Sequence, residues 1–118
     1  MNKFMNYIAS VNEWFRNAVK QNGKRDAIST FYGDFTIADK FGVNAIKSTY
    51  RDCFGGFKED VTYMAELVVV LNWKIWEHYD KGNQEFARVY DDLWRKADDY
   101  CCNHFKGEEL REYYEFID

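Results

Sequence analysis

Cysteine, histidine and carboxylate side chains at helical spacing are the residues of this chain that could do chemistry. Cys101-Cys102-Asn103-His104 has the composition of half a metal site, with Cys101 and His104 at i and i+3 on one helix face. Zinc takes four ligands, usually from two such pairs. The other candidates, Cys53 and His78, are scattered, so no metal site is expected. Cys101 and His104 also share their face with Ala97 and Tyr100. Cys101 therefore reads as a core thiol, and His104 as a partly buried, hydrogen-bonded histidine. His78 lies beside Glu77 on a helix whose apolar stripe has Asn72 at its centre. A buried Asn must find partners, so Asn72 marks a polar network or a site. No glycine-rich phosphate loop is present, and no Ser or Cys nucleophile sits in a recognisable setting. The chain has 20 acidic residues, and without a fold that joins two of them no catalytic pair is assigned. The sequence assigns no catalytic residue and no cofactor, and the expectation is a protein that is not an enzyme. A hydrolase or nuclease centred on His78 is the least favoured reading.

Small helical ribonucleases of the HEPN class pair an Arg with a His across four to six intervening residues. Counting back from His78 gives Trp73, Asn72 and Leu71, and from His104 it gives Asp99, Asp98 and Ala97. No Arg stands in either window, which disfavours that class. The segment Phe35-Thr36-Ile37-Ala38-Asp39-Lys40-Phe41-Gly42-Val43-Asn44-Ala45-Ile46-Lys47-Ser48-Thr49-Tyr50 resembles the helix-turn-helix of bacterial repressors. Ala38, Gly42 and Val43 match its small crossing residue and its turn. The resemblance implies that Asn44, Lys47, Ser48 and Arg51 face the major groove or its phosphates. The segment departs from the pattern at Ser48, where the family places an aliphatic residue. The apolar residue here is Ile46, two positions early. The plainer reading is two short helices packed at Gly42.

The elements that must position these residues are helical. Val61, Met64, Ala65, Val68, Leu71, Ile75, Trp76 and Tyr79 recur at steps of three and four, with Leu67, Val69, Val70 and Trp73 widening the stripe. Such a helix needs neighbours on more than one side. After Lys81-Gly82-Asn83, with Asn83 as N-cap, a second stripe runs through Phe86, Val89, Tyr90, Leu93, Trp94, Ala97, Tyr100, Cys101 and His104. Arg88/Asp92, Asp91/Arg95 and Asp92/Lys96 stand at i to i+4 on its wet face. The fold class is all-α: a single-domain helical bundle over 1–118, of about five helices, with a central antiparallel hairpin (57–80, 84–104). A first helix is expected over 3–21, ended by Gly23, with Phe4, Ile8, Val11, Phe15, Ala18 and Val19 inward. Residues 26–35 read as a packed loop. A short helix follows over 36–41 with Thr36 as N-cap and Asp39 in its first turn. Another runs over 45–54 with Asn44 as N-cap, stopped by Gly55-Gly56, and a last one covers 108–117.

The aromatic content is high, with 10 Phe, 9 Tyr and 4 Trp, more than a core of this size requires, so some tyrosines are expected at partner contacts. The three cysteines are odd in number, which favours free thiols in a reducing cytoplasm. No apolar run spans a bilayer and no signal peptide opens the chain, so no membrane role is expected. Residues 1–50 carry seven basic and four acidic side chains, and 51–118 carry nine and sixteen. An acidic second half suits a basic partner.

As a whole the chain resembles small accessory proteins of bacterial conjugative elements and prophages, on Thr30-Phe31-Tyr32-Gly33-Asp34-Phe35-Thr36-Ile37-Ala38-Asp39 and Leu71-Asn72-Trp73-Lys74-Ile75-Trp76-Glu77-His78-Tyr79. That resemblance implies binding to a host protein or protein–nucleic-acid complex, in the manner of anti-CRISPR and anti-restriction inhibitors. The expected partner surface is Asp91, Asp92, Asp98, Asp99, Glu108, Glu109, Glu112 and Glu115, with Tyr113 or Tyr114 as anchor. The alternative is a DNA-binding regulator using Asn44, Lys47, Ser48 and Arg51, backed by Arg16, Lys20, Lys24 and Arg25. The wide apolar girth of helix 57–80 also admits a homodimer.

Overall fold

Side-chain caps start the two longest helices. The computed structural model describes residues 27–117, which form five α-helices and no strand. They are α1 (Ala27–Asp39), α2 (Val43–Phe57), α3 (Val61–Asp80), α4 (Gln84–His104) and α5 (Glu108–Ile117). The Asp60 side chain accepts from the Thr62 and Tyr63 amides at 3.0 and 3.2 Å and starts α3. Asn83 accepts from the Phe86 amide at 3.3 Å and starts α4, as expected. Between them Gly82, at φ 76°, lets the Asn83 amide reach back to the His78 carbonyl at 2.8 Å. The antiparallel hairpin of α3 and α4 is the centre of an all-α bundle. The short α5 packs mainly on α3, and α1 and α2 pack on each other and on the hairpin. The expected helix over 3–21, its stripe and its Gly23 end lie outside the described residues.

Three local expectations are corrected. Residues 27–35 are not a loop, and Thr36 caps nothing: both belong to the single helix α1. Ser29-Thr30-Phe31-Tyr32 is a poor helix former by propensity, but Phe31 and Phe35 at i and i+4 are both buried. Two phenyl rings removed from water outweigh a few tenths of a kcal/mol per residue of propensity. Asn44 is exposed inside α2, whose N-cap is Gly42 at φ 106°, without a side-chain bond. Gly55-Gly56 does not stop α2, which runs on to Phe57. Phe57 is buried, edge-on to Phe31 (5.8 Å between centroids) and tilted against Tyr63 (4.8 Å). Burying that ring, worth roughly 1.5–3 kcal/mol, offsets two helical glycines at about 1 kcal/mol each.

The largest correction concerns the C-terminal half of α3, which buries polar residues and exposes aromatic ones. Lys74 is fully buried and His78 nearly so, whereas Trp73, Trp76 and Tyr79 are 48, 60 and 50% exposed. Trp76 and Tyr79 were expected on the buried stripe, and Asn72, expected at its centre, is exposed too. Trp73, Trp76 and Tyr79 follow one another at i, i+3, i+6 and share a face that no other described helix covers. Among the described residues, no helix is long and apolar enough to cross a membrane.

Candidate functional site

Lys74 determines which side of α3 faces outward. Its ammonium donates to Glu77 Oε2 at 2.5 Å and to Thr36 Oγ1 at 3.3 Å, and stands 2.6 Å from Asp39 Oδ2. All three of its hydrogens thus have an acceptor. The rings of Tyr32 and Tyr90 lie 5.0 and 5.8 Å from the same nitrogen, within cation–π range. Asp39 is the last residue of α1, where a negative charge opposes the helix dipole. It persists because Lys74, His78 Nε2 (3.0 Å) and Tyr90 Oη (2.5 Å) all converge on its carboxylate. Tyr32 Oη donates to Glu77 Oε1. Burial pushes the Glu77 carboxyl up, but the hydrogen bonds from Lys74 and Tyr32 and the charges of Lys74 and Lys81 hold it below the usual carboxylate range. Burial, together with the Asp39 carboxylate, pushes the Tyr90 phenol well above its ordinary value.

Asp39, Glu77 and His78 are the one group of the described residues whose ligand atoms lie close enough to share a metal, all within 4.8 Å. The Lys74 ammonium already stands within 2.6 Å of both carboxylates, so the cation of this cluster is built in. The His78 ring stacks on Tyr90 (5.4 Å) and meets the edge of Phe86 (5.2 Å), and its Nδ1 is buried with no hydrogen-bond partner among the described residues. No hydroxyl or thiol nucleophile of the described residues is hydrogen-bonded to it. Sequence reasoning missed this cluster. The available signal was Lys74 itself, a charge inside the stripe between Leu71 and Ile75.

The network turns Trp73, Trp76 and Tyr79 outward, with Trp76 and Tyr79 in ring contact at 5.9 Å. Beside them α3, α4 and α5 enclose a groove of about 430 Å³, lined on one side by Trp73 and Asn72 and on the other by Trp94, Asp98 and Tyr114. Of the two expected anchors, Tyr114 is 44% exposed on this groove, while Tyr113 is fully buried and cannot be an anchor. Its hydroxyl donates to Asp98 Oδ1 at 2.5 Å, and burial with that carboxylate pushes its phenol far up. The acidic residues expected at the partner surface divide into two sets. Asp91 pairs with Arg95 (3.1 Å), Asp92 with Lys96 (3.5 Å) and Glu115 with Arg111 (3.2 Å), and Glu112 accepts from Thr62 Oγ1 at 3.1 Å. Asp99, Glu108 and Glu109 are exposed on the same two helices.

The four-residue Cys-His motif does not gather three ligand atoms among the described residues. Cys101 is buried, which pushes its thiol up to about 12, and all three cysteines are free. His104 is exposed rather than partly buried. It stacks on Tyr100 (4.7 Å) and shares a 2.8 Å contact with Glu59 Oε2. The helices α1 and α2 are joined by Lys40-Phe41-Gly42, and Asn44, Lys47 and Arg51 are exposed with Ser48 half-buried. Ile46 is fully buried, so α2 is phased on Ile46, rotated from the repressor pattern. Arg16, Lys20, Lys24 and Arg25 lie outside the described residues. No family model, curated protein or solved structure matches the chain.

Proposed function

We propose that this chain is a non-enzymatic protein-binding module whose docking face is the aromatic surface of α3 and its groove, framed by the acidic residues of α4 and α5. The observation that carries this is the inverted half-helix: Trp73, Trp76 and Tyr79 turned to solvent while Lys74 and His78 are buried beneath. Large exposed aromatics grouped on one face are the composition of binding hot spots. The balance of residues 51–118, nine basic against sixteen acidic, selects a basic partner and favours rapid, salt-sensitive association. A protein of this kind inhibits a host nucleic-acid-handling complex, such as a CRISPR effector, by occupying a basic surface meant for nucleic acid. The test is a tagged pull-down from bacterial lysate with and without nuclease, at low and moderate salt. Capture of a basic protein that survives nuclease, and is lost when Asp99, Glu108 and Glu109 are reversed to Lys, supports the reading. Unchanged capture by that variant sinks it.

A second reading is supported by the exposure of Asn44, Lys47 and Arg51 on one face of α2. In it the chain is a DNA-binding regulator. It expects binding to duplex DNA that weakens steeply with salt and is lost in Lys47→Glu/Arg51→Glu.

A further inference from the structure

The groove beside the aromatic face has the chemistry of a cation site. Trp73, Trp94 and Tyr114 line it beside three aliphatic side chains, Asn72 and Asp98 give it acceptors, and no lysine or arginine among the described residues lines it. Both donors to Asp98 among the described residues reach the same oxygen: Tyr113 Oη donates to Oδ1 at 2.5 Å and Cys102 Sγ to Oδ1 at 3.8 Å. That leaves Oδ2 for a donor from outside. Because Tyr113 is fully buried, the carboxylate is held in place before any ligand arrives, which lowers the entropy cost of binding.

Aromatic ring faces are electrically negative, and with a carboxylate beside them the groove repels anions and favours a cation. The shape of the site selects among cations. Indole side chains beside a charged and a neutral acceptor suit a guanidinium, which is planar, always charged, weakly hydrated and donates as a fork. An ammonium is a compact, strongly hydrated point charge that gains less from a stacked geometry. We infer that the groove takes an arginine side chain from an exposed segment of a basic partner protein, with the guanidinium against an indole wall and donating to Asp98 Oδ2. The inference rests on the protein-binding reading above and names its anchor point.

The test uses the isolated full chain, nitrogen-labelled, with the indole N–H signals of Trp73 and Trp94 followed by NMR. The probes are a blocked Gly-Arg-Gly peptide, its citrulline version, which keeps the planar group and loses the charge, and its lysine version. The arginine peptide shifts both indole signals and saturates, and the citrulline peptide binds about tenfold more weakly. Asp98→Asn, which keeps an acceptor for Tyr113, and Trp73→Ala, at an exposed position, each weaken the arginine peptide by a similar factor. Equal response to arginine and citrulline, equal affinity for the lysine peptide, or no response overturns the assignment. The two proposals fail separately. A captured partner whose binding ignores Asp98→Asn and Trp73→Ala removes the arginine anchor and leaves the binding module. Saturable arginine binding by a chain that captures no protein does the reverse.

Discussion

Two buried charges have opposite roles in this protein, and each carries a prediction. Lys74 sits between Asp39 and Glu77 with every hydrogen accepted. Removing it leaves two carboxylates facing each other with no cation between them. Lys74→Met is therefore expected to cost about 2–4 kcal/mol in urea unfolding, less than a fully buried pair because both carboxylates keep some solvent. Making Glu77→Gln in that background should recover part of the loss, which a double-mutant cycle reads directly. Asp34 is the contrary case. Burial raises its carboxyl from 3.8 to about 7. Between those values the folded state keeps a proton that the unfolded chain has released, so stability falls as pH climbs from about 4 to about 7 and is level above that. Asp34→Asn should raise stability at pH 8 by roughly 2–4 kcal/mol and change it little at pH 4, in paired thermal melts. Glu77, held low, acts in the other direction: its contribution is present above the ordinary carboxylate range and is lost as pH falls below it.

At the scale of the helix, glycines sort by conformation. Gly33 and Gly55 lie inside α1 and α2 with nothing within 4 Å of an added Cβ. Changing either to Ala should stabilise the protein by about 0.5–1 kcal/mol, through the smaller entropy lost on folding. Gly42 and Gly82, at φ 106° and 76°, have the same open space but a backbone that disfavours side chains, so Ala there should cost about 1 kcal/mol or more. Asp60→Ala removes the side-chain acceptor for two amides at the start of α3 and should cost about 1 kcal/mol. Urea midpoints of these five variants test the set. The hairpin, the Asn83 cap and the last helix were legible in the sequence because period and cap agree there. Residues 27–36 and 55–57 were not, since Ser, Thr, Gly and aromatic residues signal a break locally, and only burial of Phe31, Phe35 and Phe57 reverses that signal.

At the scale of the whole molecule, the proposed docking face should be separable from the fold. Trp73 and Trp76 are 48 and 60% exposed, so Trp73→Ser/Trp76→Ser should leave helicity intact and move stability by no more than about 1 kcal/mol, because surface changes are usually small. The same pair should weaken partner capture by more than tenfold if these rings are the anchors. Sedimentation of the pair against the parent also tests whether the face joins two copies of the chain. The sequence alone determined the helical class, the central hairpin and the acidic second half, because each is a property of local periodicity, capping or composition. Only the tertiary structure decided which side of α3 faces inward. On paper Trp76 and Tyr79 extend the apolar stripe, and Lys74 interrupts it. Asp39, two helix connections away, together with Thr36, Glu77 and two tyrosine rings, makes burying the lysine favourable. The rotation that buries Lys74 turns the aromatics to solvent. Glu77 stands within a local window of Lys74, but Asp39 does not, and pairing the buried charge with it is a long-range condition.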